Sequence, residues 1–282
     1  MPELPEVEIL VRSLAPIVQN RKIQAITVGR PRIVAPATVE EFSRALRGAT
    51  FFQLSRRGKF LLFDMRGNNG NAFPLIGHLG MTGRMYLSPA KETLPKHAAV
   101  VLGFGAENFV FEDPRYFGRL TLDTTSVAAL GPEPLGDDFT TEYFFSALQR
   151  SGQPIKVKLM DQQLVAGIGN IYASEALFRA GISPQSPARR LTRAQAARLR
   201  QAIRATLQDA IKRGSTIQLN PSGNGSDGGL FYFGNAPEKP DSYEKRLRVY
   251  DRAGKPCRKC GSVIKRIVQA ARSTFYCPKC QQ

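Results

Sequence analysis

The sequence predicts an α+β protein built from three different regions in chain order. Residues 21–125 carry short runs of β-branched and aromatic residues between glycine, proline and asparagine, a pattern typical of strands. Residues 140–213 carry longer stretches with apolar residues at helical spacing. All 4 cysteines follow residue 256. These three patterns favour a β-sandwich, a helical domain and a small cysteine-rich tail.

A first helix is predicted ahead of the strands, from Pro5 to about Asn20. A proline suits the first helical turn, where its missing N–H has no intrahelical partner in any case. Pro16 is expected to kink this helix or end it early. One face is apolar, so we expect the helix to pack against the sandwich. That face carries Val7, Leu10, Val11, Leu14, Ile17 and Val18.

Strand-like segments follow the helix and are separated by turn residues. Few long helical patterns interrupt them, so we expect two sheets packed face to face. The segments read KIQAITV, ATFFQL, KFLLFDM, FPLIGHLG, RMYL, AAVVLGF, FVFE and GRLTLD.

The pattern changes at GPEPLGDD, residues 131–138, which is predicted to be a hinge. In the helical part beyond it, the glycines of VAGIGN permit close backbone turns. NPSGNGSDGG, residues 220–229, is a glycine- and serine-rich segment that cannot pack a core. The predicted helices are Thr140–Arg150, Ile155–Leu164, Asn170–Ala180 and Thr192–Arg213.

The cysteines form two C-x-x-C pairs separated by residues 261–276. This spacing is typical of a structural zinc ion held by four thiolates, with no open position for catalysis. Two disulfides are the alternative, and a cytosolic chain disfavours them. The ligands are Cys257, Cys260, Cys277 and Cys280. The predicted division is then an N-terminal domain at 1–130, a helical domain at 131–219, a flexible loop at 220–242 and a zinc-finger region at 243–282.

The net charge of +17, from 40 basic and 23 acidic residues, indicates a polyanionic partner. We expect nucleic acid and no membrane, because no amphipathic anchor helix, lipidation motif or membrane-length apolar run is present. No export signal is visible, so a cytoplasmic location is expected.

Pro2 and Glu3 are the first candidates for chemistry. Methionine aminopeptidases generally remove Met1 before a small residue such as proline, which exposes a secondary amine. Such an amine condenses with an aldehyde-level carbon to give a cationic iminium, an electron sink, and an adjacent carboxylate can move protons. Taken alone, these residues fit a stiff spacer and an ordinary first-turn acid better.

Motifs along the whole chain change that balance. In order they are MPELPEVE, GKFLLFDM, HLGMTG, DPRYFG, LGPEPL, LMDQQLVAGIGNIYASEALF and the terminal CxxC…FYCPKC. Together they closely resemble the formamidopyrimidine-DNA glycosylase family, bacterial enzymes that excise oxidised purines. The resemblance covers about residues 1–213 and 243–282. It implies a helix-two-turns-helix motif in the helical domain and a β-hairpin zinc finger at the end.

The resemblance implies a monomeric glycosylase and lyase acting on double-stranded DNA with oxidised bases or abasic sites. The Pro2 nitrogen would attack the anomeric carbon of 8-oxoguanine or formamidopyrimidine nucleotides, and Glu3 would donate a proton to the sugar. Lys59 would contact phosphate and assist β-elimination, and Arg272 would do the same for δ-elimination. A strand-edge lysine and a solvated hairpin arginine are the structural alternatives.

The same resemblance implies a set of DNA contacts. Such an enzyme flips its nucleotide out of the stack, and void-filling residues must occupy the gap. The structural alternatives are that Met81 and Phe117 are core residues and Arg115 a turn residue. Asn170 would then be a plain helix cap. The family usually has arginine or lysine where Tyr116 stands. The void-filling residues are Met81, Arg115 and Phe117, and the phosphate contacts are His97, Lys156 and Asn170.

The match breaks between Gly214 and Tyr243, where this sequence is longer than the family's usual segment. In the family this segment covers the flipped base, so lesion preference is open. Thr216 and the aromatic run Phe231, Tyr232 and Phe233 either stack on a base or anchor the loop. Two other functions compete: a related glycosylase that prefers oxidised pyrimidines, and a catalytically silent zinc protein that binds damaged DNA.

Overall fold

The computed structural model describes residues 1–216 and 243–282. They form two compact units, each with its own apolar core. The sandwich unit holds residues 1–2 and 6–128, and the helical unit holds residues 3–5, 129–216 and 243–282.

Two antiparallel four-stranded sheets make up most of the sandwich unit and confirm the predicted two-sheet sandwich. The strands are β1 (Ala25–Val28), β2 (Thr50–Arg57), β3 (Phe60–Arg66), β4 (Ala72–His78), β5 (Arg84–Pro89), β6 (Ala98–Gly103), β7 (Glu107–Glu112) and β8 (Arg119–Thr121). Their orders in the two sheets are β1-β6-β7-β5 and β2-β3-β4-β8.

Helix α1 (Leu4–Val18) buries its apolar face in the sandwich core, as its periodicity predicts. It continues two residues beyond Pro16. The core joins aromatic rings from both sheets: Phe63 of β3 meets Phe51 of β2 at 5.5 Å and Phe109 of β7 at 5.9 Å, both edge to face. Edge-to-face pairs are favourable beyond their buried area, so these rings help to hold the two sheets together.

Helix α2 (Val39–Leu46) was missing from the predicted elements. It starts with a capping box, in which the Glu41 amide donates to the Thr38 hydroxyl and the Thr38 amide donates to the Glu41 carboxylate, at 3.1 and 2.8 Å. Thr38 followed three residues later by glutamate is the sequence signal for such a start. A single-turn helix α3 (Thr125–Ala128) ends the unit.

Four further helices form the helical unit. The predicted second helix is shorter than expected and ends at Leu159. The reason is the Gln162 side chain, which donates to the carbonyls of Met160 and Ile168 and accepts from the Gly167 amide. These hydrogen bonds stabilise a compact loop in place of further helix. The helices are α4 (Thr141–Gln149), α5 (Ile155–Leu159), α6 (Asn170–Ala180) and α7 (Arg193–Lys212).

A buried carboxylate ties α6 to the chain that leads into the cysteine-rich tail. Glu175 accepts hydrogen bonds from the backbone N–H groups of Arg248, Val249 and Tyr250, each at 2.9 Å. Burial raises the pKa of Glu175, and the three donors oppose that shift. Beyond this point the tail forms an antiparallel hairpin of β9 (Lys265–Gln269) and β10 (Arg272–Tyr276).

The predicted division at 1–130, 131–219, 220–242 and 243–282 stays a prediction, and its loop at 220–242 lies outside the described residues. The described helices include none with the length and apolar character of a membrane span.

Candidate functional site

The Glu3 carboxylate lies at the N-terminus of α6. It accepts backbone hydrogen bonds from Gly169 at 2.7 Å, Ile171 at 2.8 Å and Tyr172 at 3.3 Å. The first-turn amides of a helix have no intrahelical partner, and they favour a negative group. Glu3 is almost fully buried, at 2% exposure. The carboxylate is therefore fixed in position, in the residue directly after Pro2.

Two glycines make room for this arrangement. A Cβ atom at Gly169 would lie 2.4 Å from Cδ of Glu3, and one at Gly167 would lie 2.6 Å from Cβ of Leu4. Gly167 also has a φ of +84°, which side chains rarely adopt. The Leu4 amide donates to the Gly167 carbonyl at 3.0 Å. The GIGN motif thus brings its backbone against residues 3 and 4, a close approach that only glycine permits.

Lys156 and Asn170 tie the same helix start to the hairpin. The Lys156 ammonium donates to Oδ1 of Asn170 at 2.5 Å, to the Thr274 hydroxyl at 2.7 Å and to the Ser273 carbonyl at 3.1 Å. Asn170 donates its amide to the same Ser273 carbonyl at 3.0 Å. Gly169 is the N-cap of α6, so Asn170 is the first helical residue and its side chain does not cap.

Lys156 is fully buried, and protein acceptors occupy its three N–H groups. Burial lowers its pKa to about 8, while the charge of Glu3 raises it and that of Arg272 lowers it. The phosphate contact that the sequence predicts for Lys156 stays a prediction. What the geometry favours is a positioning role, because the ammonium orients Asn170.

Tyr250 belongs to this cluster and was not among the predicted residues. Its hydroxyl is hydrogen-bonded to the Asn170 side chain, and burial raises its pKa. Its ring packs edge to face on Phe275 of β10 at 5.2 Å. A tyrosine in a segment with no strong periodicity gives no sequence signal, since only the fold brings it to Asn170.

Arg272 is exposed at the start of β10, directly after a two-residue turn. That turn has Ala270 at φ +47° and Ala271 at φ +59°, the left-handed pair that two-residue hairpins use and that asparagine and glycine usually fill. The turn therefore places Arg272 at the tip of the hairpin, where the sequence predicts it.

Lys59 occupies a turn and not the predicted strand. Arg57 pairs with Phe60, so Gly58 and Lys59 form a two-residue turn between β2 and β3, with Gly58 at φ +56°. Lys59 is 5% exposed, which excludes the solvated strand-edge lysine. Burial, followed by the charges of Lys59 and Arg119, lowers the pKa of His78 to about 4.

Arg56 beside this turn has a structural role. Its guanidinium donates to Glu8 on α1 at 2.8 Å and to the Gly58 carbonyl at 3.0 Å. Burial alone would raise the pKa of Glu8, but hydrogen bonds and charges from Arg56 and Arg12 bring a net lowering. Arg56 thus fixes the turn that carries Lys59 against the first helix.

The HLGMTG and DPRYFG loops are pressed together through glycine. A Cβ atom at Gly80 would lie 2.6 Å from the Gly118 amide nitrogen, and Gly80 has a φ of +60°. Large side chains are displayed around this contact: Met81 is 40% exposed and Phe117 54% exposed. The guanidinium of Arg115 lies 5.1 Å from the Phe117 ring centre. The predicted void-filling residues are thus neighbouring surface groups, which excludes the core alternative for Met81 and Phe117.

Asp113 shapes the second of these loops and was not predicted as a site residue. It is fully buried and accepts from the Gly118 amide at 2.7 Å, the Thr82 hydroxyl at 2.7 Å and the Arg115 amide at 3.2 Å. Aspartate before proline at a turn was the available sequence signal. Because Thr82 belongs to HLGMTG, Asp113 joins the two loops.

Tyr116 is held in the left-handed region, at φ +56°, by two partners. Its hydroxyl lies 2.8 Å from Nδ1 of His97 and accepts from the Arg30 guanidinium at 2.8 Å. The Arg30 guanidinium also lies 4.3 Å from the Tyr116 ring centre, a cation–π contact. His97 thus joins the DPRYFG loop, which the sequence did not reveal.

The four cysteines fit the predicted zinc ion. The Sγ atoms of Cys257, Cys260, Cys277 and Cys280 all lie within 4.8 Å of one another, and none forms a disulfide. The Cys260–Cys277 and Cys257–Cys280 sulfur distances are 3.5 and 4.0 Å. These separations suit four thiolates at about 2.3 Å from one tetrahedral zinc ion.

Thr216 lies in the turn that follows α7. The aromatic run Phe231, Tyr232 and Phe233 lies outside the described residues. Pro2 is buried and Met1 is 42% exposed.

Three family models match consecutive parts of the chain. One described as the Formamidopyrimidine-DNA glycosylase N-terminal domain matches residues 1–120. One described as the Formamidopyrimidine-DNA glycosylase H2TH domain matches residues 130–220. A third, described as a zinc finger found in FPG and IleRS, matches residues 254–282.

Similar proteins of known name span the full chain. A formamidopyrimidine-DNA glycosylase of Desulfitobacterium hafniense is 40% identical over 289 residues and covers 100% of both chains. One of Thermus thermophilus is 40% identical over 288 residues, with 100% of this chain and 98% of the relative covered.

Among solved structures, a Lactococcus lactis FPG mutant in complex with Fapy-dG containing DNA has a TM-score of 0.87 and 34% identity, with 100% of both chains covered. The Lactococcus lactis Fpg with an abasic site containing DNA has a TM-score of 0.85 and 34% identity, with 99% of both covered.

Proposed function

The chain belongs to the formamidopyrimidine-DNA glycosylase family, and on that premise we propose that it excises oxidised purines from duplex DNA and then cuts the strand. Its place is base-excision repair, and its partner is double-stranded DNA that contains an oxidised base or an abasic site. We further propose that it acts as a monomer in the cytoplasm.

The observation that carries this proposal is the Glu3 carboxylate, buried at the start of α6 directly after Pro2. A carboxylate with three backbone donors is held in one place, and chain connectivity keeps it close to the Pro2 nitrogen. After removal of Met1, that nitrogen is a secondary amine. An enzyme that forms an iminium needs a nucleophilic amine with a proton-transfer group close by.

In the first step the Pro2 nitrogen attacks the anomeric carbon of the damaged nucleotide, and the base leaves with the electron pair of the broken bond. The amine loses its proton as the new bond forms. Glu3 takes up a proton and delivers it to the sugar ring oxygen, so the ring opens to the iminium. The three amides around Glu3 favour its ionised form, so the carboxylate first acts as the acceptor and then as the donor.

In the second step the iminium acidifies the adjacent sugar carbon. Loss of a proton there expels the 3′ phosphate, and a second elimination expels the 5′ phosphate. Lys59 in the β2–β3 turn supports the first elimination, and Arg272 at the hairpin tip supports the second. Both side chains are cations, and a cation close to a departing phosphate stabilises the charge that develops.

The flipped nucleotide leaves a gap that exposed residues of the sandwich unit fill. Met81 and Phe117 offer apolar surface for insertion into the stack, and the Arg115 guanidinium offers donors to the orphaned base. A few kcal/mol of unstacking is offset by these contacts. Asp113 and the glycine contact between the loops keep the three groups together.

Phosphate contacts come from both units. Asn170 and the amides at the start of α6 form an anion site of the kind that helix N-termini provide. Lys156 and Tyr250 orient the Asn170 side chain. In the sandwich unit, His97 has one ring nitrogen on Tyr116 and presents the other to DNA phosphate.

Zinc supplies structure and no chemistry. Cys257, Cys260, Cys277 and Cys280 would hold it, and four thiolates leave no open position for water. The tail has only a small apolar cluster of its own. A bound ion therefore supports the hairpin that carries Arg272.

The proposal is tested by borohydride trapping of the purified protein on three duplexes, carrying 8-oxoguanine, an oxidised pyrimidine or an abasic site. We expect a covalent adduct on the first and third, once mass spectrometry shows that Met1 is removed. A strong preference for the pyrimidine duplex would indicate the related pyrimidine glycosylase. The absence of any adduct from the processed protein would leave only a silent damaged-DNA binder.

A variant pair assigns the nucleophile. Pro2→Gly should lower base release by at least about 100-fold if the proline amine attacks, which corresponds to about 2.7 kcal/mol in the barrier. Pro5→Ala is the matched control, because it changes a proline in the first turn of α1 without touching the amine. Equal rates for wild type and Pro2→Gly would reassign the chemistry to another residue.

A further inference from the structure

A basic cavity lies at the far end of α6 from the Glu3 and Asn170 cluster. Its volume is about 500 Å³, within the range of small-molecule sites. Its walls include Phe178 and Arg179 in the last turn of α6. Arg179 is nine residues beyond Asn170, or about 13 Å along the helix axis. The cavity is thus separate from the site described above.

Cations from three segments converge on this cavity. Arg179 comes from α6, Arg248 from the chain before the tail, and Arg258 and Lys259 from the first cysteine pair. All four side chains belong to exposed residues. No described acidic side chain lies within ion-pair distance of any of them. With Arg246, five cations against the two acids Glu175 and Asp209 leave an excess of positive charge around this cavity.

The two described acids in the wall already have partners. Glu175 accepts three backbone N–H groups from residues 248–250, and Asp209 pairs with Arg213 at 2.8 Å. Their hydrogen bonds go to these partners and not to the cations of the rim. Thr206 in the wall adds a hydroxyl, and Phe178 adds a flat apolar surface. A ligand that satisfies this wall carries several negative oxygens and tolerates an apolar neighbour.

We propose that this cavity binds a phosphate-bearing anion, at a site independent of the catalytic cluster. Guanidinium groups match phosphate oxygens in pairs, and three arginines on separate segments can hold more than one phosphate. The phosphates come either from a free oligophosphate such as a nucleotide or from the backbone of a DNA flank. Both sources present the same chemistry to the cavity, and the experiment separates them.

The first arm uses ATP without divalent metal as the probe, titrated calorimetrically into the full-length zinc-loaded chain. The double variant Arg248→Gln/Arg258→Gln should weaken ATP binding at least about tenfold, since it removes charge-assisted hydrogen bonds to the phosphates. The control Arg189→Gln/Arg190→Gln removes the same charge from exposed residues of the same unit outside the cavity. It should change ATP binding less than about threefold.

The second arm measures affinity for an undamaged duplex as a function of salt. If the cavity takes DNA phosphates, the cavity variant loses duplex affinity relative to the control, and its salt slope falls by about 0.9 for each lost contact. If the ligand is free, the two variants bind duplex equally while differing in ATP affinity. Equal behaviour of both variants in both arms would overturn the proposal, because only bulk charge would then matter.

Zinc content and thermal melting show whether the cavity variant is folded. If the cavity variant does not fold, a measurement on the wild type tests the proposal instead. ATP should shift the amide NMR signals of Thr206 and Arg258 with one common half-saturation. Shifts confined to the surroundings of Asn170 and Arg272 would contradict a separate site.

Discussion

The two units hold their functional residues in opposite ways. In the helical unit, the ionisable site residues Glu3 and Lys156 are almost fully buried and hydrogen-bonded by backbone or hairpin groups. In the sandwich unit, Met81 and Phe117 are apolar and exposed, at 40% and 54%. Buried charge is costly unless every group finds a partner, and exposed apolar surface is retained where a partner will cover it.

This difference in burial suits the two units to different roles. A buried, fully bonded carboxylate keeps one geometry, which proton transfer requires. Exposed side chains on loops joined by glycine contacts and by Asp113 remain available to enter a distorted DNA stack. On the proposed roles, the helical unit therefore holds the proton-transfer carboxylate, and the sandwich unit carries the Pro2 nucleophile, Lys59 and the wedge residues.

The largest expected effect breaks the fixed geometry of the helical unit. In Gly169→Ala the new Cβ would lie 2.4 Å from Cδ of Glu3, so the carboxylate at the end of that side chain must move. The move breaks its backbone hydrogen bonds, so base release should fall about 100-fold or more. Single-turnover kinetics on an 8-oxoguanine duplex measure this, alongside the melting temperature.

Gly152→Ala is the matched control, because a Cβ there meets nothing closer than 3.8 Å. It should leave the rate unchanged. A Gly169→Ala variant with wild-type rates would show that the position of Glu3 does not govern catalysis.

The contrast between the units also sets what the sequence could predict. Period-2 and helical patterns predicted the sandwich, the helices and the first helix, because these follow from which face is buried. The four cysteines predicted the metal centre, because thiolate spacing is local chemistry. Tyr250 and Asp113 were missed as site residues. Their partners are remote in the chain or are backbone groups of a loop, and neither leaves a periodic signal.

For some residues the sequence singled out the residue but did not predict its surroundings in the fold. Lys59 was expected in a strand, but the register of β2 and β3 puts it in their turn. The burial of Lys156 was not predictable, because a lysine is almost never buried unless a specific set of acceptors surrounds it. Local pattern identifies such residues, whereas tertiary packing decides what they contact.

A second prediction tests a partly buried titratable group in the sandwich unit. The pKa of His78 is about 4 in the fold against 6.5 in the unfolded chain, mainly through burial. Between those values the unfolded chain binds a proton that the folded chain does not. The free energy of unfolding should therefore fall as pH drops from 6.5 to 4, by about 2–3 kcal/mol from this residue.

Urea denaturation across that pH range measures the loss. His78→Gln keeps a side-chain acceptor for the Gly80 amide but cannot titrate, so its pH profile should be flatter than that of the wild type. Parallel profiles would mean that His78 is protonated in the fold, and that the sandwich unit also contains a partly buried charge.

A third prediction sharpens the role of the exposed loops. Tyr116→Phe removes the hydroxyl that bonds His97 and Arg30, so the loop that presents Arg115 and Phe117 loses two anchors. The ratio of excision rates on 8-oxoguanine duplexes with cytosine and with adenine opposite the lesion should therefore change about 3- to 10-fold, the value of one to two hydrogen bonds. Excision rates measured on the two duplexes give this ratio.

Tyr86→Phe is the control, since it removes a hydroxyl that bonds Glu112 within the sheet and not in the loop. It should leave that ratio unchanged. If Tyr116→Phe also leaves the ratio unchanged, the glycine contact and Asp113 alone hold the loop.

The smallest expected effect concerns the hairpin tip. Ala270 and Ala271 both adopt positive φ, which costs an alanine about 1 kcal/mol and a glycine almost nothing. Ala271→Gly should therefore raise the stability of the tail, offset in part by the greater freedom of glycine in the unfolded chain, for a net gain of about 0.5 kcal/mol. Hydrogen exchange of the β9 and β10 amides at fixed zinc measures this gain. Slower exchange with unchanged strand cleavage would show that the strain is incidental. Slower exchange with reduced δ-elimination would show that a strained turn is needed to place Arg272, and the exposed tip would then be as closely controlled as the buried cluster behind it.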